Sequence, residues 1–351
     1  MTAPLIPVTL LTGFLGSGKT TLLNSLLQLP ELADSAVIIN EFGAVAVDHL
    51  LVEQVSEHLR LLQSGCLCCT VRGDLLDTLQ DLARRREDGQ IAPFARVIIE
   101  TTGLADPTPV LQTFLADADV RSRFQLSQIV TLVDAVNGAA TLSRHEEARR
   151  QVALAQQLLI SKEQLAAPAM VQQLQDTLRQ LNPLAAITVL GEGAGAPLLQ
   201  TTSDQALFAA AHWATQAGQG EEAMPSHHSS RLQTYCLQWT QPLPQQGLAD
   251  WLERLVAMRG EQLLRVKGLV QLAEHPHQPT VIHGVQQLLH PFTQLPEWPD
   301  AAHCSRLVLI VDGISFSEIA RTFERYVGVA VPRFQPAPAA SSSTAMSSPL
   351  R

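Results

Sequence analysis

Lysine is nearly missing from this sequence: of 24 basic residues only three are lysines, Lys19, Lys162 and Lys267. In such an arginine-rich background each remaining lysine is informative, because an ammonium is a compact point charge that a planar guanidinium does not replace. Basic charge is short overall, with 33 acids against 24 bases and a formal net charge of -9. That balance is unsuited to a phosphate backbone, so nucleic acid is not an expected partner. It suits cations or basic proteins. No apolar run approaches the roughly 20 residues of a membrane-spanning helix, so no membrane association is expected. The mostly apolar stretch from Leu5 to Leu15 has no Lys or Arg before it. A signal peptide needs that positive start, so the stretch reads as a buried strand, and a cytoplasmic location is expected. Cysteines number five in 351 residues, and Cys66, Cys68 and Cys69 fall within four positions. A disulfide framework would spread them along the chain; clustered thiols point to metal or redox chemistry.

What is present is ample core material. Hydrophobic residues make up 46% and charged residues 16%, which argues for packed domains rather than global disorder. The length predicts two domains, or one with an appendage. Over roughly 190 residues, apolar strand patterns (6–12, 37–40, 59–62, 97–100, 128–134, 158–160, 186–190) alternate with helical ones (19–29, 72–86, 109–116, 146–157, 171–181). That alternation predicts an α/β domain with a mostly parallel sheet over residues 1–216, and the glycine-rich run Gly13-Phe14-Leu15-Gly16-Ser17-Gly18-Lys19-Thr20 makes it a P-loop NTPase domain. Residues 217–230 are rich in Gly, Pro, Ser and charge and read as a linker. Beyond it, strands at 232–239, 262–272, 280–286 and 305–311 and helices at 247–258 and 315–326 predict a small C-terminal α+β domain with an antiparallel sheet, over 231–333. Residues 334–351, rich in Pro, Ala and Ser, read as a disordered tail.

Gly13-Phe14-Leu15-Gly16-Ser17-Gly18-Lys19-Thr20 fits the phosphate loop G-x-x-x-x-G-K-[ST], with an apolar strand before it and a helix after. Gly13, Gly16 and Gly18 let backbone N–H groups turn toward phosphates, with Ser17 between them, and the helix start adds positive potential. Lys19 places an ammonium between the β- and γ-phosphates. The Thr20 hydroxyl, followed by Thr21, is the expected Mg²⁺ ligand. Val97-Ile98-Ile99-Glu100-Thr101-Thr102-Gly103 is an apolar strand ending in an acid, with Gly three residues on. Glu100 is placed to hold Mg²⁺ through water, and the Gly103 N–H to meet the γ-phosphate. Many GTPases carry Asp at that strand tip.

Ser64-Gly65-Cys66-Leu67-Cys68-Cys69-Thr70 offers soft thiolates of the kind Zn²⁺ and Cu⁺ prefer. In an extended backbone Cys66 and Cys68 share a face, and Cys69 can join through a turn. Three thiolates leave a fourth position open, which fits transfer better than permanent structure. Buried small hydrophobes or a redox pair are the plainer readings of the same residues.

Together these elements resemble the CobW-like GTPase family, which includes metallochaperones and cobalamin-synthesis accessory proteins. The resemblance runs from Gly13 through Asn24, through Asn40-Glu41-Phe42-Gly43 with Asp48-His49, and through Gly65 to Thr70. It continues at Glu100-Thr101-Thr102-Gly103-Leu104-Ala105-Asp106-Pro107. In the second domain it covers Leu263 to Gly268 and Ile282 to Gln286. It implies a GTPase that uses GTP and Mg²⁺, binds Zn²⁺ or Co²⁺ at Cys66, Cys68 and Cys69, and delivers it to a metalloenzyme client. Residues Asn40 to Asp48 would form a switch between the two sites, with Glu41 as a ligand or relay, or as a solvated carboxylate. The oligomeric state stays open, a homo-oligomer included.

Two departures from the family pattern stand out. Family members usually carry Glu and Gly where this chain has Ala44 and Ala46. The guanine-specifying run Asn-Lys-x-Asp or Thr-Lys-x-Asp is here Ser161-Lys162-Glu163-Gln164. A Gln164 amide offers an NH₂ where guanine also donates. An unpaired buried donor costs about 1–3 kcal/mol, a loss of roughly tenfold to a hundredfold in selectivity. The competing readings are a nucleotide- and metal-responsive switch without hydrolysis, and a P-loop kinase. The kinase would need an arginine-bearing lid, and Arg84-Arg85-Arg86, the tight basic cluster, reads as a helix end. His227-His228 in the linker reads either as a weak metal-loading pair or as a solvated pair, and His49 after the switch is a position to test by mutation.

Overall fold

The computed structural model describes residues 4–32, 34–40, 61–63, 71–191, 231–299 and 303–331. Its first half is a seven-stranded sheet in which all pairings are parallel. The strands are β1 (Ile6–Gly13), β2 (Ser35–Asn40), β3 (Leu61–Gln63), β4 (Arg96–Thr101), β5 (Phe124–Asp134), β6 (Gln157–Ser161) and β7 (Ala186–Val189), ordered β3-β2-β4-β1-β5-β6-β7. A parallel sheet is covered on both faces, so its strands are continuous apolar runs. Val97, Ile98 and Ile99 of β4 are all buried, as are the five residues of β6. β2 and β3 lie outward on one side of β1, β4 returns to fill the place between β2 and β1, and β5, β6 and β7 build outward on the other side. The crevice at such a reversal, beyond the carboxyl ends of the strands, is where ligands of doubly wound sheets bind.

The helices of this half are α1 (Lys19–Leu26), α2 (Val71–Glu87), α3 (Thr108–Ala116), α4 (Ala118–Arg123), α5 (Gly138–Arg144), α6 (Glu146–Leu154) and α7 (Pro168–Leu181). The expected helix 19–29 stops at Leu26, and Pro30 opens a separate 3₁₀ turn; a proline pushes the residue before it out of helical geometry. The expected helix 146–157 stops at Leu154. There the Asn182 amide donates to the carbonyls of Val152 at 2.7 Å and Ala155 at 2.9 Å, satisfying groups that a helix end leaves open. α4 and α5 lie where no helix was expected. α4 starts on Asp117, whose carboxylate accepts from the Val120 N–H at 2.8 Å. At six and seven residues neither is long enough to display an amphipathic stripe.

The second half is an antiparallel sheet of β8 (Leu232–Trp239), β9 (Leu263–Leu272), β10 (His275–Val285), β11 (Leu288–Leu289), β12 (Thr293–Gln294) and β13 (Ser305–Asp312). The order is β11-β10-β9-β13-β8, with β12 also on β10. Helices α8 (Gln245–Arg259) and α9 (Phe316–Val327) cover one face, where Leu307, Leu309 and Val311 pack with Trp251 and Phe323. The alternate residues Val308 and Ile310 face the other way. They join Leu264 and Val285 in a cluster that also contains Leu154 and Leu184 of the first half. The two-residue period of a strand thus gives β13 two cores, one internal and one shared with the parallel half. The expected linker (217–230) and tail (334–351) lie outside the described residues.

Candidate nucleotide and metal site

The phosphate loop joins β1 to α1. Gly13, Gly16 and Gly18 all take positive φ, at 142°, 74° and 94°. Gly13 is fixed by space as well, because a Cβ there would lie 2.4 Å from the Leu132 carbonyl oxygen. Inside the loop Lys19 is buried, and its ammonium donates to the Gly13 carbonyl at 2.8 Å and the Phe14 carbonyl at 3.4 Å. The Ser17 hydroxyl is buried at the loop with no hydrogen-bond partner among the described residues. Thr20 donates to the Glu100 carboxylate at 2.7 Å. The two oxygens expected at Mg²⁺ therefore already share one point at the tips of β4 and α1. Two acceptor-capable oxygens beside a phosphate loop are the hard donor set Mg²⁺ takes. Thr21 is exposed one residue further along.

Gly103 lies against the same loop: a Cβ on it would sit 2.5 Å from the Leu15 nitrogen. The loop that follows β4 is held from behind by Gln151 of α6, whose amide donates to the carbonyls of Gly103 at 3.2 Å and Ala105 at 3.0 Å. Below it, buried Thr101 donates to Thr12 at 2.8 Å, tying β4 to β1. Gln151 carries no motif spacing, and sequence reasoning missed it. The available signal is an amide at a position whose neighbours, Ala148 and Val152, line the apolar side of the helix.

On the other side, Ser161 donates to the Ser17 carbonyl at 2.7 Å, so the Ser161-Lys162-Glu163-Gln164 run is fastened to the phosphate loop. Lys162 takes a left-handed backbone, φ 60°, and its ammonium pairs with Asp134 at 2.7 Å. Burial alone would raise the Asp134 pKa. The Lys162 bond and the N–H groups of Asn137 and Val136 outweigh that and hold it below the usual carboxylate value. Gln164 is exposed on the 3₁₀ turn Glu163–Leu165. A cavity of about 190 Å³ runs from Phe14 and Ser17 past Asn137 and Thr141 to the Asp134–Lys162 pair.

Cys66, Cys68, Cys69, Glu41, Ala44, His49 and the His227-His228 pair lie outside the described residues. The strands that lead to them are described. Gln63 of β3 pairs with Ile39 of β2, Ile39 with Glu100 of β4, and Glu100 with Leu11 of β1, one row across four parallel strands. At about 4.8 Å per strand, Gln63 is roughly 10 Å from Glu100. Cys66 follows Gln63 by three residues, and Glu41 follows Asn40, which pairs with Thr101. Among the described residues no group of three or more His, Cys, Asp or Glu is arranged to hold a metal. Burial pushes the Cys236 thiol up to about 11.

Comparison with known proteins gives a consistent result. Residues 7–189 match the model described as CobW/HypB/UreG, nucleotide-binding domain, and residues 232–327 match the cobalamin synthesis protein cobW C-terminal domain. A zinc chaperone of Escherichia coli, YjiA, is 31% identical over 323 residues, spanning 91% of this chain and 98% of the relative. A zinc-regulated GTPase metalloprotein activator of Schizosaccharomyces pombe is 34% identical over 189 residues, 52% of this chain and 45% of the relative. The crystal structure of Zn(II)-bound YjiA GTPase from E. coli superposes with a TM-score of 0.67 at 26% identity, covering 92% of this chain and 99% of that one.

Proposed function

The chain belongs to the CobW/HypB/UreG family of nucleotide-binding proteins, and from that premise we propose that it is a metal-binding GTP hydrolase that hands Zn²⁺ to a metalloprotein client. The nucleotide's phosphates seat on the loop from Gly13 to Thr20. Lys19 exchanges its carbonyl partners for phosphate oxygens, a better match for a full positive charge. Thr20 and Glu100 would hold Mg²⁺, whose chemistry when bound is to neutralise charge on the β- and γ-phosphate oxygens. The Gly103 N–H serves the γ-phosphate. Hydrolysis forms a bond from a water oxygen to the γ-phosphorus as the bond from that phosphorus to the bridging oxygen breaks; the electron pair leaves on the β-phosphate of GDP, and the water's proton passes to the released inorganic phosphate. Loss of the γ-phosphate then releases the loop at Gly103.

Cys66, Cys68 and Cys69 receive Zn²⁺ as thiolates, with Glu41 as a further ligand. The observation that carries the coupling is the row Gln63–Ile39–Glu100. The segment bearing the cysteines and the acid beside the phosphate loop leave the same end of one sheet, two strands apart. A shift of the β4 tip on γ-phosphate binding is felt at that distance through backbone hydrogen bonds alone. No helix among the described residues is long and apolar enough to cross a membrane.

The test is Zn²⁺ affinity of the purified protein by chelator competition, with GDP, with a non-hydrolysable GTP analogue and with an ATP analogue, each with Mg²⁺. The GTP analogue is expected to change affinity about fivefold or more relative to GDP. Cys66→Ser and Cys68→Ser should each weaken binding strongly. An equal response to the ATP analogue would mean that Gln164 has relaxed base selection. Zn²⁺ affinity indifferent to every nucleotide would sink the coupling.

A further inference from the structure

The loop after β4 is held from two sides, and one of them belongs to the C-terminal sheet. Arg150 of α6 donates to the Asp106 carboxylate at 2.9 Å, three residues beyond Gly103. The same guanidinium pairs closely with Asp312 at the end of β13. Asp312 is 2% exposed, and its second oxygen faces Arg231 at 3.3 Å. A carboxylate so buried is retained only with charge partners, and beside Arg231 from its own half Arg150 supplies one across the boundary between the two halves. Asp106 in turn organises the start of α3, accepting from the Thr108 N–H at 2.9 Å and the Thr108 hydroxyl at 2.6 Å.

A second tie reaches the same residue. Gln286 donates from its amide to the Thr108 hydroxyl at 2.8 Å. Gln286 is buried and has φ 51°, a left-handed backbone that non-glycine residues rarely adopt. It is the first residue of a two-residue hairpin turn, since Val285 pairs with Leu288. Glycine or asparagine is the easy choice there. Strained backbone of this kind persists where the surroundings require it. What glutamine offers in exchange is an amide long enough to cross to Thr108.

We propose that Arg150 and Gln286 are positioning residues for γ-phosphate recognition, through which the C-terminal sheet sets the loop from Gly103 to Thr108. This rests on the reading of the loop as the GTP site. Gln151, next in sequence to Arg150, transmits the position of α6 to the Gly103 carbonyl. Any rearrangement of the C-terminal sheet, as on docking a client, moves Asp312 and Gln286 together and therefore changes how well the loop accepts the γ-phosphate. By reciprocity, the γ-phosphate changes the affinity of whatever binds that sheet.

The experiment compares affinities of the full chain for fluorescent GDP and for a non-hydrolysable GTP analogue, with Mg²⁺. The variants are Gln286→Gly, Thr108→Val and Arg150→Met. Gln286→Gly relieves the left-handed backbone, which offsets part of what the lost buried side chain and its hydrogen bond cost, so the variant should stay folded, as its thermal midpoint will show. GDP affinity should stay within about twofold, while the preference for the GTP analogue over GDP falls about fivefold or more. Thr108→Val should do the same, and the double variant should lose no more than either single one, since both cut one link. A purely structural role for these residues would lower both affinities together and leave the ratio alone. Folded Gln286→Gly and Thr108→Val proteins with the parental ratio overturn the proposal, whatever the fate of Arg150→Met. Parent protein that binds neither nucleotide overturns the GTP reading itself, and this inference with it.

Discussion

At the scale of single residues, the site depends on atoms that are not there. Gly103 is the sharpest case. Its φ is ordinary, so its identity is set by space: an added Cβ would lie 2.5 Å from the Leu15 nitrogen and 2.6 Å from its Cα. Those are backbone atoms of the phosphate loop and cannot swing aside as a side-chain end would. Gly103→Ala must therefore push the loop after β4 and the phosphate loop apart. Misplacement of catalytic groups by about 1 Å costs on the order of a hundredfold in rate. Single-turnover phosphate release from Gly103→Ala should be slower by about that factor, and release at the parental rate would show that the loop tolerates the displacement. Residues such as Lys19, Thr20 and Glu100 were legible in the sequence because phosphate geometry fixes their type and spacing. Gln151 and Arg150 were not. They reach the same loop from a helix more than 40 residues away, and the fold rather than the spacing delivers them.

At the scale of elements, most strands of the parallel sheet were legible because burial on both faces writes an uninterrupted apolar run. The short helices α4 and α5 were not, for want of length. The mixed character of β9 and β10 was also hidden. Arg265, fully buried, donates to the carbonyls of Leu154 and Ala155 at the end of α6, at 3.4 Å for Leu154. Cations are favoured at a helix C-terminus, and this one arrives from the neighbouring sheet. Its other side meets His283 at 3.5 Å, whose ring stacks on His290 with centroids 4.6 Å apart. Burial, with Arg265, His290 and Lys267 adding like charge, pushes His283 down to about 2. The consequence for stability has a definite sign. Below the ordinary histidine pKa of about 6.5 the unfolded chain takes up a proton that the folded chain refuses. Stability therefore rises with pH through that window, is complete above it, and is lost as pH falls, at about 1.4 kcal/mol per pH unit for one such group. Gln in place of His283 keeps an acceptor for Arg265 and removes the titration. Urea unfolding of His283→Gln between pH 6 and pH 4.5 should show a shallower slope by roughly that amount. Identical slopes for the two proteins would assign the acid sensitivity elsewhere.

At the scale of the whole molecule, sequence composition suggests two bodies on a tether, and the packing joins them. The docking residues Leu264, Val285, Val308 and Ile310 were unreadable as such. Val308 and Ile310 sit in a strand apolar on both faces, where period two cannot say which face meets which partner, and Leu264 and Val285 sit in strands whose apolar run is broken by Arg265, Lys267 and His283. A shared apolar cluster, the Arg265 bonds and the Arg150–Asp312 pair make separate unfolding of either half expensive, because each half would expose buried apolar area and orphan a buried charge. Tryptophan offers a one-sided probe of this. Trp239 and Trp251 both pack on Phe323 in the core of the antiparallel half, with ring centroids 4.5 Å and 4.9 Å apart. The phosphate loop belongs to the other half. Trp213 lies outside the described residues and is best replaced by Phe so that the signal comes from the second sheet. Nucleotide at about 100 times its Kd stabilises the folded state by about 2.7 kcal/mol. If the halves unfold as one unit, GDP with Mg²⁺ should raise the midpoint seen by tryptophan as far as the midpoint seen by far-ultraviolet circular dichroism. A tryptophan transition that ignores nucleotide while the dichroism splits in two would mean that the halves are thermodynamically separate. The shared cluster would then be too weak to carry any signal from the phosphate loop to the C-terminal sheet.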